Sequence, residues 1–133
     1  MVTVEDVRRL ALALPRTEEH LVRDRVKFRI GRIVYLALSR DETELGFAFP
    51  KEERAALVAS EPGTFSLPGA GDMRWNWVHA RMAALGPTEL AELVTEAWRM
   101  CVPARVAREH LTGGAPGEAS DPARGGGVGG GER

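Results

Sequence analysis

The sequence predicts a small α+β domain, an antiparallel sheet with helices packed on one face. Three observations predict it. Apolar residues recur at helical spacing in residues 4–14 and again in 90–101. Between these segments, residues 25–30, 33–38 and 44–49 read as strands separated by short turns. The turns are too short for crossover helices, so the strands pair antiparallel and the helices are left to one side.

The elements follow in order. Thr3 is placed to cap a first helix, with Glu5 and Asp6 in the first turn, where the helix dipole favours carboxylates. Val4, Val7, Leu10, Ala11 and Leu14 form its apolar face, and Pro15 ends it. Residues 17–22 are a further strand candidate. In 25–30, Val26, Phe28 and Ile30 point one way and Arg25, Lys27 and Arg29 the other, the pattern of a half-buried strand. Gly31-Arg32 reads as a tight hairpin turn. Residues 33–38 (IVYLAL) are apolar throughout, as in a central strand. After a polar turn at 40–43, residues 44–49 turn Leu45, Phe47 and Phe49 inward. Pro50 opens a second helix over 51–60, with Arg54, Ala55, Leu57 and Val58 toward the sheet. The glycines and prolines of 61–72 predict a loop, and 73–82 a last strand with Met73, Trp75, Trp77 and His79 on one side. A long helix starts at 86–89 and presents Leu90, Leu93, Val94, Ala97, Trp98 and Cys101. Pro103 restarts a short helix that ends near Leu111.

From Thr112 the composition changes. Nine of the 15 glycines lie in 112–133, and Val128 is the one large apolar residue there. Such a segment buries too little surface to offset its ordering entropy. The reading is a folded domain over 1–111 and a disordered Gly-rich tail over 112–133.

Composition narrows the function. The formal net charge is −1, so attraction to nucleic acid or an anionic membrane has to come from a local patch. The cations are nearly all arginine, with lysine only at 27 and 51, in keeping with a GC-rich coding sequence. Cys101 is the single cysteine, so no intrachain disulfide forms and no Cys-x-x-Cys zinc site exists. Its place on an apolar stripe reads as an inert core thiol. His20, His79 and His110 stand on separate elements without ligand spacing, so no metal site is read. Glu18/Glu19 and Glu42/Glu44 read as solvated charges rather than an acid–base pair. No phosphate-loop, dinucleotide or nucleophile-elbow motif is present, and no cofactor is expected. The N-terminus lacks the pattern of a signal peptide and no apolar run reaches the roughly 18 residues of a membrane span, which predicts a cytoplasmic protein with no membrane partner.

Two features carry functional information. Segment 23–32 (RDRVKFRIGR) holds five cations and one anion. Arg25, Lys27 and Arg29 share a face at steps of roughly 6.5–7 Å, close to the phosphate spacing of a nucleic-acid strand. Arg23, Arg40 and Arg74 extend the set if the strands align. The bland alternative is an outer face cross-paired with Glu18 or Glu44. The second feature is Trp75-Asn76-Trp77, with His79 beside it: exposed rings would stack on bases or line a pocket, and buried ones are core, the expectation for at least one of them.

The segments 11–20 (ALALPRTEEH), 27–38 (KFRIGRIVYLAL), 49–65 (FPKEERAALVASEPGTF), 76–82 (NWVHARM) and 92–106 (ELVTEAWRMCVPARV) resemble the MmcQ/YjbR family. The resemblance covers 3–111 and implies a CyaY-like fold. It also implies DNA binding through a double-wing arrangement, and no catalytic residues. Frataxin shares this fold, but its iron binding needs an acidic ridge; here Glu5 and Asp6 are followed by Arg8 and Arg9. The expectation is therefore a non-enzymatic protein that binds DNA through Arg23, Arg25, Lys27, Arg29, Arg40 and Arg74. The alternative is a small-molecule or protein-binding module with a pocket at Trp75, Trp77 and His79. Oligomeric state is not legible.

Overall fold

The structure, a computed structural model, describes residues 1–113; the proposed tail falls almost wholly outside them. The chain divides into two compact units, Met1–Cys101 and a second that begins at Val102. In the second unit, Pro103 precedes helix α4 (Ala104–Arg108), which runs into a π-helical turn over Glu109–Gly113.

The first unit is a six-stranded antiparallel sheet with three helices. Helix α1 (Val4–Leu12) begins with a capping box. Thr3 Oγ1 accepts the Asp6 N–H at 3.3 Å, and the Asp6 carboxylate accepts the Thr3 N–H at 2.9 Å. The hydrogen bonds donated to the carboxylate by the Thr3 N–H and the Thr3 hydroxyl hold the Asp6 carboxyl below its ordinary range. Strands β1 (Thr17–Val22), β2 (Arg25–Ile30), β3 (Ile33–Leu38) and β4 (Glu44–Ala48) form the meander. Helix α2 (Arg54–Ser60) follows, then β5 (Phe65–Ser66), β6 (Trp77–Arg81) and helix α3 (Pro87–Arg99), with Pro87 at its first position. The strand order is β1-β2-β3-β4-β6-β5.

Strand alternation sorts the residues. Phe28, Leu36 and Phe47 align across neighbouring strands with Val78, and Leu38 aligns with Leu45, Ala80 and Phe65. All are buried, as are Val7 and Ala11 of α1 and Leu90, Val94, Ala97 and Trp98 of α3. The α3 helix packs on β3, β4 and α1. The Trp98 indole N–H donates to the Pro15 carbonyl at 2.9 Å, fixing the turn after α1. A bulge opposite Phe28–Arg29 adds Tyr35 to β3. Tyr35 is fully buried and shares a 2.6 Å hydrogen bond with Thr17 Oγ1. Burial pushes its hydroxyl pKa up to about 12, against the lowering pull of that bond.

Three boundaries differ from the sequence reading. The second helix begins at Arg54 rather than Lys51, because 51–53 form a turn closed by Glu53 N–H to Pro50 O. The 61–72 loop contains β5, a two-residue strand paired to β6. The strand expected over 73–82 is confined to Trp77–Arg81, since the Met73 and Trp75 carbonyls before it are taken by Arg54 rather than by a neighbouring strand.

The β1–β2 hairpin turns on Arg23 and Asp24, with φ of 54° and 66°. A two-residue loop of this kind needs both central residues left-handed, a conformation that suits Gly or Asn better. Asp24→Gly is therefore expected to stabilise the protein by about 0.5–1 kcal/mol in urea unfolding. No change, or a loss, would show that the Asp24 side chain compensates the strain. In the β2–β3 turn the left-handed position is already glycine, Gly31 at 59°.

Candidate functional site

The sheet face opposite α1 and α3 carries the basic strand. Arg25, Lys27 and Arg29 share it with Ala37 of β3, Gly46 and Ala48 of β4, and Trp77 and His79 of β6. The face holds a cavity of about 580 Å³. Arg25 and Lys27 stand on one side, Trp77 and His79 on the other, and Trp75 and Asn76 come from the loop before β6. The two candidate sites of the sequence, the basic strand and the tryptophan pair, thus meet in one cavity.

Among the described residues the cations there form no ion pair, although Asp72 also lines the cavity. Glu18, opposite Arg29 in the register, turns instead to His20 at 3.1 Å. Glu44 turns to His79, Oε1 to Nδ1 at 3.5 Å. Among the described residues no carboxylate lies within ion-pairing distance of Arg25, Lys27 or Arg29, so the cross-paired outer face is not what forms. Arg25 Nε donates to the Leu38 carbonyl at 3.1 Å, which fixes the guanidinium, and its terminal amino groups are unengaged among the described residues. Arg29 lies further along the strand, outside the cavity lining, and its buried Nε has no hydrogen-bond partner among the described residues. Arg23 is exposed in the hairpin turn, where its carbonyl accepts from Arg40 Nε at 3.3 Å. Arg40 flanks a second depression with Arg25, Ser39 and Asp41. Arg74 is exposed and stacks over Trp75, 4.8 Å from the ring centroid.

Neither tryptophan of the pair is core. Trp75 is 56% exposed. Trp77 is half-buried, with its indole flat on Gly46: a Cβ there would stand 2.7 Å from Trp77 Cζ2 and Nε1. Gly46 is thus a strand glycine kept for close approach. The loop is held from below by Arg54, a buried arginine on α2 only 6% exposed. Its Nη1 donates to the Trp75 carbonyl at 2.8 Å and the Trp77 carbonyl at 3.4 Å, and its Nη2 donates to the Met73 carbonyl. Lys51 adds Nζ to the Arg74 carbonyl at 3.2 Å, and its backbone N–H donates to Asn76 Oδ1 at 3.0 Å. Sequence reasoning named Asn76 in the tryptophan cluster without giving it a role, and missed Gly46 and the clamp by Arg54 and Lys51. The available signals were a glycine inside an apolar strand and an arginine at a core-facing helix position.

Cys101 follows α3 rather than lying on its stripe, is half-buried, and borders the cavity. Burial pushes its thiol pKa up. Iodoacetamide is expected to alkylate it more slowly at pH 7 than a free cysteine, with the rate still climbing above pH 9; a faster rate would contradict the assigned burial. Among the described residues no three His, Cys, Asp or Glu side chains gather as a metal site, and no helix is long and apolar enough to cross a membrane.

Fold and site together define an antiparallel α+β protein with helices on one sheet face and a basic, tryptophan-lined cavity on the other. The chain belongs to the YjbR family, whose profile matches residues 12–100. Its fold is similar to the crystal structure of Deinococcus radiodurans protein DR2400, a DUF419 domain protein. The TM-score is 0.66 at 19% identity, over 75% of this chain and 78% of that one. A comparison with curated proteins gives no match.

Proposed function

We propose that this protein is a non-enzymatic DNA-binding protein that contacts phosphates through the sheet face that carries Arg25, Lys27 and Arg29. The observation that carries the reading is the row Arg25, Lys27, Arg29, three cations on one face with no carboxylate partner among the described residues. Two-residue steps of roughly 6.5–7 Å suit successive phosphates, and Arg23, Arg40 and Arg74 extend the basic surface. The reading agrees with the DNA binding that the family resemblance implies. A net charge of −1 gives no general attraction to polyanions, so binding depends on this patch and on salt.

Fluorescence anisotropy with labelled duplex DNA tests it. Binding is expected at about 50 mM salt and to weaken steeply toward 200 mM; Arg25→Ala with Lys27→Ala lowers the log–log salt slope by about 2. No binding at about 50 mM salt, or a slope unmoved by the double substitution, would sink the proposal.

A small-molecule module is the second reading. It is favoured by the cavity volume of about 580 Å³, within the roughly 300–1,000 Å³ of ligand sites. Trp75, Trp77 and His79 would line that pocket. Tryptophan emission unresponsive to a panel of anionic aromatic metabolites counts against it.

A further inference from the structure

We infer that the cavity takes an unpaired nucleobase, with the adjoining phosphate on Arg25 and Lys27. This rests on the phosphate-binding reading above and makes it more specific: a single-stranded segment is preferred over a duplex.

The cations and the indoles belong to the same cavity, so one ligand meets both. A phosphate engaged by Arg25 and Lys27 places its own nucleoside within reach of Trp75 and Trp77. Arg74 covers one face of the Trp75 ring at 4.8 Å, and the ring remains 56% exposed, which leaves the other face for stacking. Trp77 is pinned flat on Gly46 and forms the floor. Polar groups that read a base edge line the same cavity. Asn76 spends its Oδ1 on the Lys51 N–H, so its amide N–H groups remain for an acceptor. His79 spends Nδ1 toward Glu44, and its Nε2 is unengaged among the described residues.

A duplex cannot offer this combination at rest. Its bases are stacked and paired, and one has to be broken out before a ring can enter a cavity. A single strand presents an unpaired base beside each phosphate without that step. Stacking on Trp75 accepts any base, so the sequence preference is weak.

The test is competition anisotropy with the full chain and four probes: an oligothymidylate of about twelve nucleotides, a duplex of equal length, an abasic strand of equal length, and thymidine monophosphate as competitor. The single strand is expected to bind about tenfold or more tightly than the duplex, and the abasic strand about tenfold more weakly than the single strand. Trp75→Ala weakens the single strand by about tenfold and leaves the duplex unchanged, while Trp75→Phe restores most of the loss. Because Trp75 is exposed, the variant keeps the parent's unfolding midpoint. Displacement by thymidine monophosphate identifies a free nucleotide as a second source of the same ligand chemistry. Equal binding of strand and duplex with no effect of Trp75→Ala overturns the inference and leaves the phosphate reading standing. No binding of any probe at about 50 mM salt overturns both.

Discussion

Replacing Arg54 with methionine is expected to cost about 2–4 kcal/mol of folding stability and to loosen the segment that carries Trp75. The side chain is only 6% exposed and serves the carbonyls of Met73, Trp75 and Trp77 with one guanidinium. Methionine fills similar space but donates nothing, so acceptors that the fold keeps from full solvation lose their partner. Lysine keeps the charge but lacks the planar fork, so Arg54→Lys falls between parent and Arg54→Met. Urea unfolding followed by tryptophan emission reads the cost, and the native baseline reads the local change at Trp75. A loss below about 0.5 kcal/mol, the range of ordinary surface substitutions, would mean that the clamp does not carry the loop.

Gly46→Val gives the second large effect. A Cβ alone at this position meets the Trp77 ring at 2.7 Å. The branched side chain therefore lifts the indole off the sheet and into the cavity. Overpacking of this kind costs about 1–3 kcal/mol, and the displaced ring takes the space assigned to ligand. Ligand affinity is expected to fall with stability, unlike for Arg25→Ala, which leaves the core untouched. The double variant Gly46→Val with Trp77→Ala relieves the clash, and its stability loss is smaller than the sum of the two single losses. Additive losses would mean that the indole does not depend on Gly46.

The fold was legible where local patterning and tertiary role agree. The 3.6-residue repeat found α1 and α3, and the two-residue repeat found β2 and β4. It failed where a single tertiary contact decides. The segment at Met73 alternates like a strand, but Arg54 takes its carbonyls from another element, and the ladder starts only at Trp77. Strand β5 is two residues long and exists through its pairing to β6, so nothing local marks it among glycines and prolines.

The site was legible as two separate features. Arg25 and Lys27 were visible as an alternating basic strand, and Trp75, Trp77 and His79 as an aromatic cluster. Their convergence follows from strand order, which places β4 between β3 and β6 and turns both sets to one face. The unpaired state of the cations was not legible. Opposite charges suggested cross-strand pairing with Glu18 and Glu44, but both carboxylates have a histidine nearer to hand. Only side-chain placement distinguishes those outcomes.

The proposed binding surface is the sheet face that carries Arg25, Lys27, Trp77 and His79. Amide chemical-shift mapping with a short single-stranded oligonucleotide tests it most directly. Perturbations are expected at residues 25–29, 37, 46 and 75–79, fading as salt rises from about 50 to 200 mM. Shifts concentrated instead on α3, at residues 89–99, or no shifts at the lower salt, would contradict it.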